Sequence, residues 1–120
     1  MKNLFFLFLL LGACSDMFPA EISPAEIKKN NLILDVRTPA EHEELALIQE
    51  HWFVPLDQLE PTSFIREHHL DGSKPLYILC RSGKRAEIAA QKFKQAGLKK
   101  VAVIRGGIIA AEKMGLPIKK

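Results

Sequence analysis

The sequence predicts an α/β fold, a mainly parallel central sheet with helices on both faces. Three runs, Leu32 to Val36, Leu76 to Leu79 and Val101 to Ile104, are short and almost wholly apolar. They lack the alternation of a sheet wetted on one side, so each reads as a strand buried on both faces. Between them lie short helical patterns bounded by capping residues, proline and glycine. Strands that alternate with helices close into a parallel sheet, and such sheets take ligands at the C-terminal ends of their strands.

The chain has 120 residues, 48% apolar and 26% charged, which suits one domain with a single core. The formal charge is +3, and Lys and Arg are scattered apart from the stretch after Cys80 and the Lys119-Lys120 end. No basic stripe marks a nucleic-acid partner. The two cysteines, Cys14 and Cys80, stand in such different contexts that a structural disulfide between them is not the first reading.

Met1-Lys2-Asn3 is a minimal positive start, followed by the apolar run Leu4 to Leu11 and the small residues Gly12 and Ala13 before Cys14. Eight apolar residues are too few for a bilayer core that needs about 20, so the run reads as the core of a signal peptide. Leu11-Gly12-Ala13-Cys14 resembles the bacterial lipobox. That resemblance implies removal of residues 1–13, acylation of Cys14 and a lipid-anchored protein of the cell envelope, its domain in the periplasm or extracytoplasmic space. Ser15 would then fit outer-membrane sorting. An ordinary secretory signal or a buried N-terminal helix are the alternatives. An acylated Cys14 leaves Cys80 the sole thiol, available but open to oxidants.

Residues 14–20 read as a tether and 21–120 as the domain. Ser23-Pro24-Ala25-Glu26 is a capping box with proline at the first helical position, predicting a short helix to about Asn30. Leu32 to Val36 is a strand whose end holds Asp35 and Arg37. A carboxylate there can accept backbone N–H bonds and hold the neighbouring loop, a structural role favoured over direct catalysis. Thr38-Pro39-Ala40-Glu41 repeats the capping box and opens a helix through about Leu45.

Trp52 to Val54 reads as a brief strand, and Pro61 opens a helix that closes at Asp71-Gly72 with His68 and His69 on it. Adjacent histidines point apart on a helix, whereas a metal wants ligands at i, i+3 or i+4. His42, His51, His68 and His69 are therefore expected as surface or packing residues, with no metal and no organic cofactor. Val101 to Ile104 gives a strand, Gly106-Gly107 a turn, and Ile108 to Met114 a last helix stopped by Gly115 and Pro117.

The candidate chemistry lies where the strand Leu76 to Leu79 meets Cys80, Arg81, Ser82, Gly83, Lys84 and Arg85. Gly83 permits a sharp turn, and Ala86, Ala89, Ala90 and Phe93 recur at helical spacing up to Gly97. Backbone N–H groups at that helix start can converge on the sulfur while Arg81, Lys84 and Arg85 add positive potential. Such surroundings favour a thiolate nucleophile. Arg81, directly after the strand-end cysteine, is the cation expected to point away from the pocket. The bland alternative is a small buried hydrophobe ending a strand.

Cys80-Arg81-Ser82-Gly83-Lys84-Arg85 resembles the six-residue active-site loop of the rhodanese sulfurtransferases. Leu34-Asp35-Val36-Arg37-Thr38-Pro39 resembles a strand-end motif near the start of those domains, and Arg105-Gly106-Gly107-Ile108 with Gly115-Leu116-Pro117 their C-terminal signature. The three anchors span roughly residues 22 to 118 in the family's order. Ala46 to Trp52 departs from the family's Gly-His-Ile-Pro-Gly-Ala type segment, and Ala111 replaces an aromatic often found after the glycine pair. Both departures bear on loop shape and substrate approach rather than on the cysteine loop.

The resemblance implies a rhodanese-like fold and a sulfurtransferase that takes sulfane sulfur from thiosulfate or a similar anionic donor as a Cys80 persulfide. A thiophilic acceptor then removes it. A monomer is expected, attached to the membrane through its lipid. The alternatives are a persulfide carrier, a non-catalytic partner-binding module of this fold, and a phosphatase or arsenate reductase. The related dual-specificity phosphatases place arginine six positions after the cysteine, where this chain has Ala86.

Overall fold

The computed structural model describes residues 18–120. The expected signal segment, Cys14 and most of the expected tether lie outside the described residues. Five strands form one sheet: β1 (Glu21–Ile22), β2 (Leu32–Asp35), β4 (Trp52–Phe53), β5 (Leu76–Leu79) and β6 (Val101–Ile104). Their order is β1-β6-β5-β2-β4, every pairing parallel. A second, antiparallel ribbon joins β3 (Ala46–Leu47) to β7 (Ile118–Lys119).

Side-chain alternation splits the core in two. Leu34, Val36, Leu76, Ile78, Cys80, Val101 and Val103 point to one face, where α2 (Pro61–Glu67) contributes Phe64 and α3 (Lys84–Gln95) contributes Ala86, Ala89, Ala90 and Phe93. Small alanines let α3 approach the sheet closely, and Phe93 fills the remaining space. Burying one such ring stabilises the fold by about 1.5–3 kcal/mol. Ile33, Leu79 and Ile104 point to the other face, against Ile108 and Ala111 of α4 (Gly107–Lys113) and Leu47 of the ribbon. The sheet is thus covered on both faces, as the uninterrupted apolar strands require.

The capping boxes form as read, with different outcomes. Thr38 caps α1 (Pro39–Glu44), Oγ1 accepting from the Glu41 N–H at 3.2 Å and Glu41 Oε1 accepting from the Thr38 N–H at 3.1 Å. Ser23 caps only a single 3-10 turn, Pro24–Glu26, and the helix expected to reach Asn30 does not continue. Ile27 turns extended there and packs in the second core, while Asn31 Oδ1 accepts from the Lys28 N–H at 2.7 Å and closes a turn instead.

Helix α2 stops at Glu67, so His68 and His69 lie beyond it, His69 with φ 53°. The chain joins the sheet already at Ala20, whose carbonyl accepts from the Val103 N–H at 2.9 Å. Among the described residues no helix is long and apolar enough to cross a membrane.

Candidate active site

Cys80 sits at the C-terminal end of β5, the central strand of the sheet, and Asp35 ends the neighbouring β2. The parallel register pairs Asp35 with Leu79, and the Val36 N–H donates to the Leu79 carbonyl at 2.9 Å. Two strand ends therefore form one platform.

From Cys80 the chain turns back at Gly83, whose φ of 119° lies in the left-handed region where glycine is strain-free. That turn brings the Gly83 N–H to 2.9 Å from the Cys80 sulfur. The Gly83 carbonyl then accepts from the Glu87 N–H at 3.0 Å and starts α3. The sulfur thus faces a donor at the mouth of a helix, where the helix dipole favours negative charge. Cys80 is 1% exposed.

Beneath the loop the Cys80 carbonyl accepts from the Ile108 N–H at 2.9 Å, and the Arg81 carbonyl from the Ile109 N–H at 3.4 Å. The start of α4 therefore holds the loop from below. Gly107 makes this approach possible: with φ 61°, a Cβ built on it would overlap the carbonyl oxygens of Cys80 and Arg81. The glycine pair is a packing requirement of the cysteine loop.

Arg81, Ser82 and Lys84 are exposed, and among the described residues neither Arg81 nor Lys84 forms an ion pair. Arg85 behaves differently. Its Nη1 and Nη2 donate to Glu41 Oε1 and Oε2 at 2.7 and 2.8 Å, a bidentate pair that uses one N–H of each terminal nitrogen. Arg85 was expected to attract the donor alongside Arg81 and Lys84; in the structure it also ties the loop to α1. The Arg85 guanidinium holds the Glu41 carboxyl down at about 2, from an ordinary 4.5. Glu41 in turn pushes the Arg85 pKa up, with a smaller contribution from Cys80.

Asp35 and Arg37 form a second, fully buried pair at 2.8 Å. Asp35 Oδ1 also accepts from the Arg37 N–H at 2.9 Å, and the guanidinium donates to the carbonyls of Glu41 at 3.2 Å and Leu45 at 2.6 Å. These bonds close the C-terminal end of α1 and fix the helix that presents Glu41. A cavity of about 420 Å³ lies beside it, lined by Arg37, Thr38, Pro55, Leu56, Arg85 and Lys92 among others.

Sequence reasoning missed Glu41 as part of the site. Its capping-box role was legible, but one carboxylate serves both the cap and Arg85. The histidines also separate: His68 packs against Trp52 and Phe64, whereas His42 and His51 meet near Asp35.

Fold and site together define an α/β protein built around a strand-end cysteine loop. Residues 20–113 match the Rhodanese-like domain family, and the chain belongs to it. It is 36% identical over 87 residues to a protein named sulfurtransferase from Allochromatium vinosum, an alignment covering 72% of this chain and 77% of that one. It is 41% identical over 69 residues to a putative sulfur carrier protein, YrkF, of Bacillus subtilis, covering 58% of this chain but only 35% of that longer protein.

Among solved structures it superposes on protein hp1203 from Helicobacter pylori with TM-score 0.67 at 27% identity, covering 83% of this chain and 88% of that one. The rhodanese-like domain of an Anabaena protein gives the same TM-score at 19% identity, with 83% and 78% covered, a likeness of fold.

Proposed function

We propose that the protein is a sulfurtransferase that moves sulfane sulfur from thiosulfate, or a similar anionic donor, to a thiophilic acceptor through a Cys80 persulfide. The observation behind this reading is the Gly83 N–H aimed at the Cys80 sulfur at 2.9 Å, at the start of a 12-residue helix. A donor fixed there stabilises negative charge on the sulfur without moving.

In the first step the Cys80 thiolate attacks the outer sulfur of thiosulfate. The new S–S bond forms as the old one breaks, and sulfite leaves with the bonding pair. The charge stays on the terminal persulfide sulfur, within the field of the Gly83 N–H, the start of α3 and the exposed Lys84. In the second step an acceptor such as cyanide bonds to that sulfur, and Cys80 departs as thiolate. Nucleophile, anion attraction and leaving-group stabilisation all come from one loop.

A persulfide carrier that hands its sulfur to another protein is the second reading, favoured by the similarity to the putative sulfur carrier. The first half-reaction is common to both. Phosphatase chemistry is disfavoured because Ala86, where arginine would be needed, is fully buried in the core. The proposal extends to location: acylation at Cys14 would anchor the domain to a membrane of the cell envelope, on its extracytoplasmic side.

Steady-state turnover tests the catalytic reading. Thiosulfate and cyanide should yield thiocyanate and sulfite in equal amounts, with Cys80→Ser inactive though folded. A carrier would load sulfur but turn over poorly with cyanide. Turnover retained by Cys80→Ser would rule out the proposed chemistry.

A further inference from the structure

Beside the Asp35 carboxylate two histidines from different elements meet. His42 on α1 and His51, just before β4, bring their Nε2 atoms to 2.9 Å. The Nδ1 of His51 lies 2.7 Å from the Gln49 carbonyl oxygen, which can only accept. Nδ1 of His51 therefore holds the proton, and Nε2 presents a lone pair to His42. His42 is fixed in turn by stacking on Phe53, ring centroids 4.1 Å apart and 18° from parallel.

We propose that His42 and His51 form a binding site for a divalent transition metal of the zinc class. Two imidazoles facing each other through Nε2 have at most one proton to share, and a cation between them would engage both lone pairs. Zinc holds nitrogen at about 2.0–2.1 Å in a tetrahedral shell, which sets two ligand nitrogens roughly 3.3 Å apart. The observed 2.9 Å needs only a slight opening.

The Gln49 carbonyl supplies the outer partner that orients a ligating histidine. An Asp35 carboxylate oxygen lies within 4.8 Å of a ring nitrogen of each histidine. Its oxygens already accept from the Arg37 side chain and backbone, so Asp35 would lend charge at close range while waters complete the shell. Imidazole ligands suit zinc, copper and nickel better than the oxygen-seeking magnesium or calcium.

The histidines stand nine positions apart in sequence and outside the helical spacing on which the expectation of no metal rested. Bound there, an ion would brace α1, the helix that presents Glu41 to Arg85, against the segment leading into β4. It would act on the site through that helix and take no part in sulfur transfer.

The test uses the full chain carrying Cys14→Ser and Cys80→Ser, so that no thiolate competes, titrated with Zn²⁺ by calorimetry at neutral pH. One ion per chain is expected, with affinity falling roughly tenfold or more in His42→Gln and in His51→Gln. In the same chain with ¹⁵N-labelled histidine, Zn²⁺ should shift the Nε2 resonances of His42 and His51 and leave those of His68 and His69 in place. Absence of stoichiometric uptake, or uptake indifferent to both substitutions, overturns the site. Should either variant fail to fold, unmoved His42 and His51 resonances overturn it equally.

Discussion

Glu41 and Arg85, 44 residues apart in sequence, meet through two hydrogen bonds of 2.7 and 2.8 Å, and this pair joins the cysteine loop to helix α1. Arg85 belongs to the six residues that begin at Cys80, yet its charge is directed sideways to a carboxylate. On the proposed function, the exposed Lys84 and the Gly83 N–H supply anion attraction beside it.

Glu41→Gln should destabilise the domain by about 1 kcal/mol at neutral pH, because the pair is partly exposed and screened. The folded carboxyl sits at about 2 against an ordinary 4.5, so the stabilisation is fully present above 4.5 and disappears as pH falls through about 2. Urea midpoints of wild type and variant should converge over that acidic window. A gap that stays constant with pH would contradict the ion pair's role.

Gly107→Ala should cost roughly 1–3 kcal/mol, the usual penalty of forcing a methyl into packed backbone, with added strain from the positive φ. The clash falls on the Cys80 and Arg81 carbonyls, so sulfur transfer should drop along with the urea midpoint. Gly97→Ala, at a positive φ but with open space around it, serves as the control and should leave activity intact.

Lys84→Ala should lower kcat/KM for thiosulfate about 10- to 100-fold, as expected for one charge-assisted contact of roughly 1.5–3 kcal/mol. Reaction of a preformed persulfide with cyanide should suffer less, since the donor's sulfonate end has then left. Equal losses in both half-reactions would place Lys84 on the sulfur itself.

Cys14→Ser should release the protein from membranes or leave the precursor unprocessed. Cell fractionation and the mobility of the processed form check this. Unchanged detergent partitioning of the variant would exclude the lipid anchor.

The fold was legible where a signal was local. Leu76 to Leu79 and Val101 to Ile104 matched their strands residue for residue, and Lys84–Gln95 formed the helix that alanine spacing and Gly97 implied. Two-residue strands such as Glu21–Ile22 and the Ala46–Leu47 with Ile118–Lys119 ribbon carry no periodicity to read; tertiary pairing alone creates them. The cysteine loop was likewise readable, because its glycine, sulfur and cations are contiguous. Its clamps were not: Glu41 and Gly107 reach it across long sequence separations. Glu41 was further masked by its local task as a cap.

The central claim is that Cys80 accepts sulfur from a donor. Intact-protein mass spectrometry of the purified chain after incubation with thiosulfate and removal of excess reagent measures this directly. Wild type should gain the mass of one sulfur atom, lose it on addition of cyanide, and show no gain as Cys80→Ser. An unchanged wild-type mass, or an equal gain in the serine variant, would contradict the account.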